Sequence, residues 1–219
     1  MDVLDKITNL VKKHKAQLVI VSKTYPATRV REVYDRGYRA FGENRVQELV
    51  DKKDELPDDI EWHLIGHLQR NKVKYIAPFV AMIHSVDSER LLREIDKQAK
   101  RADRVIDILL QAHIAEEKSK FGLSVEELTS LAAKISQQEF PNIRCRGVMG
   151  MATFSEDKDL VRSEFALLRN IFTQVKADYI SEPSFDTISM GMSGDYEVAL
   201  EEGSTMLRIG SLIFGEREK

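Results

Sequence analysis

Short apolar runs alternate with longer amphipathic segments along the whole chain. The runs are LVIVSK (18–23), YRAFGE (38–43), EWHLIGH (61–67), VAMIHSV (80–86), VIDILLQAHI (105–114), CRGVMGM (145–151), FDTISMGM (185–192) and TMLRIGSLIFG (205–215). Where apolar residues stand at consecutive rather than alternate positions, the pattern predicts strands covered on both faces. The segments between carry apolar residues three and four apart. Val46, Leu49 and Val50 form such a stripe in 43–55; Leu91, Leu92 and Ile95 form one in 88–102; Leu160, Phe165, Leu168, Ile171, Phe172 and Val175 form one in 156–176. Thr28 is a plausible N-cap for 28–36, which stops before Gly37, and Ser88 starts 88–102. SVEE opens 124–138 with the spacing of a capping box. A short helix is expected at 195–202, and another at 2–14, ahead of the first strand. Eight buried strands with helices between them predict parallel βαβ units closed into a (β/α)8 barrel. A doubly wound open sheet is the alternative, but the turn after the first strand, SKTYP, has no glycine for a phosphate loop. No Gly/Ser linker interrupts the pattern, so residues 1–219 read as one domain.

Composition narrows the classes without choosing among them. The net charge of −3 and pI near 6.0 remove the usual electrostatic reason to expect nucleic acid. No apolar run approaches the roughly 20 residues that span a bilayer, and MDVLDKITNLVKKHK is charged throughout, unlike a signal peptide. The single cysteine, Cys145, excludes an intrachain disulfide and reads as a small buried apolar residue. A soluble cytoplasmic protein is expected. His63 and His67 stand four apart in a strand-to-loop segment rather than on a helix, so no zinc pair and no metal are expected.

In such barrels the working residues lie at the C-terminal ends of the strands. Those positions hold Lys23; Glu43, Asn44 and Arg45; His67 to Asn71; Ser85 and Asp87; His113; Met149 and Met151; Gly191 to Gly194; and Gly210 with Ser211. Two features stand out. Glycine–serine pairs close strands seven and eight, where barrels often bind phosphate on backbone amides and a helix start. Ser193 and Ser211 add hydroxyls, and Asp195, which would repel a phosphate, is expected to face outward. The second feature is Lys23, since a charged amine ending a buried strand is costly without a use or an exit to solvent. A strand-end lysine opposite a phosphate cradle suits a ligand with both a carbonyl and a phosphate. A sugar phosphate and pyridoxal 5′-phosphate both qualify. Arg208, three residues before Ser211, would enter the barrel, to meet a pyridine nitrogen or a buried carboxylate.

Taken together, VSKTYP, FGENRVQE, EWHLIGHLQRNK, HSVDS and ISMGMSGDYEVALEEGSTMLRIGSLIFGER resemble the pyridoxal phosphate homeostasis protein family over roughly residues 17 to 217. That family looks like the barrel half of alanine racemase and bacterial-type ornithine decarboxylase. The resemblance implies a fold type III barrel without the racemases' C-terminal β-domain. It also implies a non-catalytic protein of intracellular vitamin B6 homeostasis, holding pyridoxal 5′-phosphate as a Schiff base on Lys23. Ser193, Gly210 and Ser211 would hold the phosphate, with Gly191, Met192 and Gly194 shaping that loop. Arg208 would face the pyridine nitrogen, Asn44 would lie near the ring, and His67 beside the mouth. His113 stands where asparagine is common, which puts a ring contact from strand five in doubt, while Ser119-Lys120-x-Gly122 is retained.

An arginine beside the pyridine nitrogen disfavours its protonation and so weakens the ring as an electron sink. Racemases of the related fold add a tyrosine base from a partner's β-domain. This chain stops at Lys219, and Tyr196 is the tyrosine expected near the mouth. The expectation is therefore a monomeric carrier that buffers the cofactor or delivers it to apoenzymes. A racemase or lyase using Lys23 as its only base is the alternative.

Overall fold

The computed structural model describes residues 2–116 and 121–215. Eight parallel strands close into a barrel in sequence order. They are β1 (Gln17–Val21), β2 (Ala40–Glu43), β3 (Glu61–Leu64), β4 (Met82–Val86), β5 (Ile106–Gln111), β6 (Ile143–Met149), β7 (Thr187–Ser189) and β8 (Met206–Ile209). Closure comes from β1 pairing with β8, Ile20 opposite Ile209. The open-sheet alternative is excluded.

The helices cover the outside: α1 (Val3–Lys13), α2 (Ala27–Asp35), α3 (Val46–Glu55), α4 (Val73–Ile76), α5 (Glu89–Arg101), α6 (Val125–Ser136), α7 (Lys158–Asp178), α8 (Tyr196–Glu201) and α9 (Ser211–Phe214). Local chemistry places most of them. The Ser88 hydroxyl accepts from the Leu91 amide, and Ser124 with Glu127 forms a reciprocal capping box. α2 instead starts after Pro26, one turn position before the expected Thr28 cap. Two segments were not foreseen. The stretch after β3 contains a 3-10 turn at Arg70–Lys72 running into α4, whose four residues are too few to show a helical period. The last apolar run is not one long strand: β8 ends at Ile209, and Ser211–Phe214 is helical.

Strand alternation sorts the side chains into two cores. Ile20, Phe41, Leu64 and Ile83 point out against the helices, in a shell that α1 joins through Leu4, Ile7 and Val11. Val19, Met82, Leu109, Met149 and Met206 fill the barrel's inside. Cys145 is buried in the shell, where burial pushes its thiol up to about 12, well out of reactive range. Among the described residues no helix is long and apolar enough to cross a membrane, and no cluster of metal-ligating side chains forms.

Candidate ligand site at the barrel mouth

A cavity of about 640 Å³ opens at the C-terminal ends of the strands. It gathers every residue the sequence singled out for a ligand: Lys23, Asn44, His67, Met192, Ser193, Arg208, Gly210 and Ser211 all line it. The alternation of β1 and β8 brings them in. Val19 packs inside, Val21 and Lys23 follow on the same face, and Ile20 and Ser22 point out. On β8, Met206, Arg208 and Gly210 share the inner face.

The end of β1 is fastened from behind. The buried Ser22 hydroxyl donates to Glu43 Oε1 at 2.6 Å. Lys52 Nζ, from α3, donates to the same oxygen at 2.6 Å and to the Ser22 carbonyl at 2.7 Å. Burial raises the Glu43 carboxyl above its ordinary value, and the Lys52 charge pulls it part of the way back. One residue beyond Lys23, the Thr24 amide donates to Glu48 Oε2 at 2.8 Å, with the Thr24 backbone held at φ 71°. Glu43 thus serves the wall behind the site instead of facing the ligand.

Arg208 is the buried cation of the cavity. Its Nη1 donates to Ser189 Oγ at 2.6 Å and its Nη2 to the Gly150 carbonyl at 3.0 Å. These bonds leave further guanidinium donors for a ligand. Its direct bonds among the described residues go to Ser189 and Gly150, and Asp195 acts on it through charge. Burial brings its pKa down to about 10, with Asp195 opposing, so it remains cationic at neutral pH.

Beside the end of β1 the chain at Gly210 packs too closely to carry a side chain. A Cβ on Gly210 would stand 2.8 Å from the Val21 carbonyl oxygen. Gly191 adopts φ 94° with Ala199 and Leu207 pressed against it, a position that favours glycine. Gly210 leads into α9, whose first amides have no helical partner.

Asp195 corrects the sequence reading. It lines the cavity rather than facing away, because its carboxylate turns back to accept from the Met192 amide at 2.6 Å. Tyr196 packs against the shell, and Tyr25 is the tyrosine that lines the cavity among the described residues. Its hydroxyl donates to the Gly215 carbonyl at 2.7 Å and its ring stacks on Phe214. His113 does not line the cavity. Strand five contributes Gln111, whose amide donates to the Phe121 carbonyl at 2.9 Å. Ser119 and Lys120 lie outside the described residues. His67 bonds Asp87 at 3.1 Å and stacks on Phe121 with centroids 4.4 Å apart, forming one rim of the mouth.

The sequence reading missed Gln111, Tyr25 and Thr153. The inward alternation of β5 pointed to Gln111. Thr153 gave no local signal, since it is set by a distant carboxylate: buried Glu164, on α7, accepts from its amide at 2.6 Å, its hydroxyl at 2.7 Å, and the Glu116 amide at 3.0 Å.

Comparison with known proteins matches this architecture to a family. The model of the alanine racemase N-terminal domain matches residues 3–218. A protein named pyridoxal phosphate homeostasis protein, from Aquifex aeolicus, is 42% identical over 204 residues, 93% of this chain and 88% of that one. Its namesake from Escherichia coli is 39% identical over 208 residues, 92% and 86% of the two chains. Among solved structures, PipY of Synechococcus elongatus, with PLP bound, superposes with a TM-score of 0.87 at 32% identity, covering 98% of this chain and all of that one.

Proposed function

This chain belongs to the alanine racemase N-terminal domain family, among the pyridoxal phosphate homeostasis proteins, and we propose that it binds pyridoxal 5′-phosphate and serves cofactor homeostasis. The observation that carries the reading is one cavity in which an inward lysine, a buried arginine and the Ser193 and Gly210–Ser211 segments face a common space. The residues fit the group. Lys23 would hold the aldehyde through its side-chain amine. Ser193, Ser211 and the backbone at Gly210 would hold the phosphate. Arg208 would offer the ring nitrogen the donors that Ser189 and Gly150 leave over. Asn44 and His67 flank the ring and the mouth.

When bound, this cofactor supplies an electron sink whose strength depends on protonation of its ring nitrogen. Arg208, cationic and buried, opposes that protonation, because two adjacent positive charges in a low dielectric repel strongly. Tyr25 does not stand ready as a second acid or base, since its hydroxyl is engaged by the Gly215 carbonyl. Both features favour holding the cofactor over turning substrates over. They support a protein that buffers pyridoxal 5′-phosphate or passes it to apoenzymes.

A spectroscopic titration with added cofactor tests this. The wild type develops a visible absorption band and Lys23→Ala does not. Colourless wild type at saturating cofactor overturns the reading. Lys23-dependent racemisation in a chiral amino-acid assay overturns the non-catalytic part alone.

A further inference from the structure

The inside of a (β/α)8 barrel is ordinarily packed with branched apolar side chains. Here a polar column crosses it. Arg208 Nη1 donates to Ser189 Oγ at 2.6 Å, Ser189 Oγ lies 3.2 Å from His84 Nδ1, and His84 Nε2 lies 2.8 Å from His63 Nδ1. The four residues sit on β8, β7, β4 and β3, so the column braces opposite walls, and all four are buried. Only Arg208 has a direct role in the ligand site. A buried polar chain is costly unless every member is bonded, and fully bonded it fixes a single geometry.

Counting hydrogens sets the direction of the chain. Ser189 Oγ accepts from Arg208, so its own proton needs an acceptor, and His84 Nδ1 is the one in reach. His84 therefore carries its proton on Nε2 and donates to His63 Nδ1. His63 in turn is the Nε2–H tautomer. In the reverse assignment His84 would donate to Ser189, and the hydroxyl proton would have no described partner. Both histidines are thus neutral, and the chain of bonds runs one way, away from the guanidinium. Burial supports that state, holding His63 down at about 4 and, with His63 and Arg208 nearby, His84 well below its ordinary value.

We propose that His84, with Ser189 as its link and His63 as its support, is a positioning residue that aims the Arg208 guanidinium at the ring nitrogen of bound pyridoxal 5′-phosphate and so keeps that nitrogen unprotonated. The proposal rests on the cofactor reading above. Without the acceptor at position 84 the Ser189 hydroxyl turns freely, and Arg208 loses the partner that sets its plane. The ring nitrogen then meets water or a proton in place of a fixed donor.

The test uses the full chain loaded with pyridoxal 5′-phosphate labelled with 15N in the ring, and reads the ring-nitrogen chemical shift and the cofactor affinity. Wild type shows an unprotonated pyridine shift. His84→Leu moves the shift towards pyridinium and weakens binding roughly tenfold, the scale of one hydrogen bond to a charged group. His84→Asn restores both, because its Oδ1 replaces Nδ1 as acceptor. If His84→Leu fails to fold, Ser189→Ala removes the link alone and gives the same shift. A folded His84→Leu or Ser189→Ala with wild-type shift and affinity overturns the column while leaving the cofactor reading intact. Wild type that binds no cofactor overturns both.

Discussion

Lys52→Met removes the charge that fastens the strand carrying Lys23, while methionine keeps most of the side chain's volume. In the intact chain Lys52 bonds Glu43 Oε1 and the Ser22 carbonyl, and the Glu43 side chain is 0% exposed with its second oxygen lacking a hydrogen-bond partner. Breaking a buried pair from one side leaves an uncompensated charge, at a cost of about 3–5 kcal/mol. At the roughly 2–4 °C per kcal/mol typical of chains this long, melting falls by about 10 °C. The loss depends on pH in a direction the structure fixes. Burial already raises the Glu43 carboxyl, and the variant deletes the nearest opposing charge. A folded-state value above the unfolded one gives stability that is present in acid and lost as pH rises through the folded value. Lys52→Met therefore differs little from wild type near about pH 5 and falls furthest behind near about pH 8. The double variant Glu43→Leu/Lys52→Met comes back to within about 1 kcal/mol of wild type, since neither charge remains buried. Urea unfolding at both pH values, read as midpoint shifts at constant m, measures all three. A loss below about 1 kcal/mol at the higher pH, the worth of an exposed ion pair, refutes the reasoning. So does an equal loss at both pH values.

The remaining predictions concern the glycines and the histidines. Gly191→Ala costs about 2 kcal/mol, through its φ of 94° and the crowding by Ala199 and Leu207, and is measured by urea midpoint. Gly210→Ala costs about 1–3 kcal/mol and also weakens cofactor affinity, because relieving the 2.8 Å approach to the Val21 carbonyl shifts the end of β1 that carries Lys23; a spectroscopic titration reads the affinity. His63 is held near 4 against 6.5, so the unfolded chain takes up its proton first as pH falls. Stability present above about pH 6.5 is lost towards about pH 4 by roughly 3 kcal/mol, and His63→Leu flattens that part of the stability–pH curve.

The eight strands were legible because each buried run was continuous and most of the helices between them, α4 excepted, carried a period of their own. The β8–α9 junction was not. TMLRIGSLIFG is apolar throughout, and the switch from strand to helix at Gly210 turns on one backbone position rather than on hydrophobic pattern. Lys23, Gly210 and Ser211 were legible as strand-end chemistry and Arg208 as a residue entering the barrel, whereas the places of Asn44, His67 and Met192 rested on the family resemblance; barrel closure brings all of them to one cavity. Asp195 was misplaced because electrostatics favours it in a first helical turn, whereas a tight loop bond to the Met192 amide holds it in the cavity wall. The column from His63 to Arg208 is invisible in sequence. Its members lie on four strands, and only barrel closure brings them within hydrogen-bonding distance.

The account depends most on a bond between position 23 and the cofactor's aldehyde. Borohydride reduction of the cofactor-loaded protein, followed by peptide mass mapping, tests it directly. The expected result is a single pyridoxyl-phosphate adduct on the peptide bearing Lys23, absent from Lys23→Ala. An adduct confined to another lysine, or coloured protein from which reduction leaves none, contradicts it.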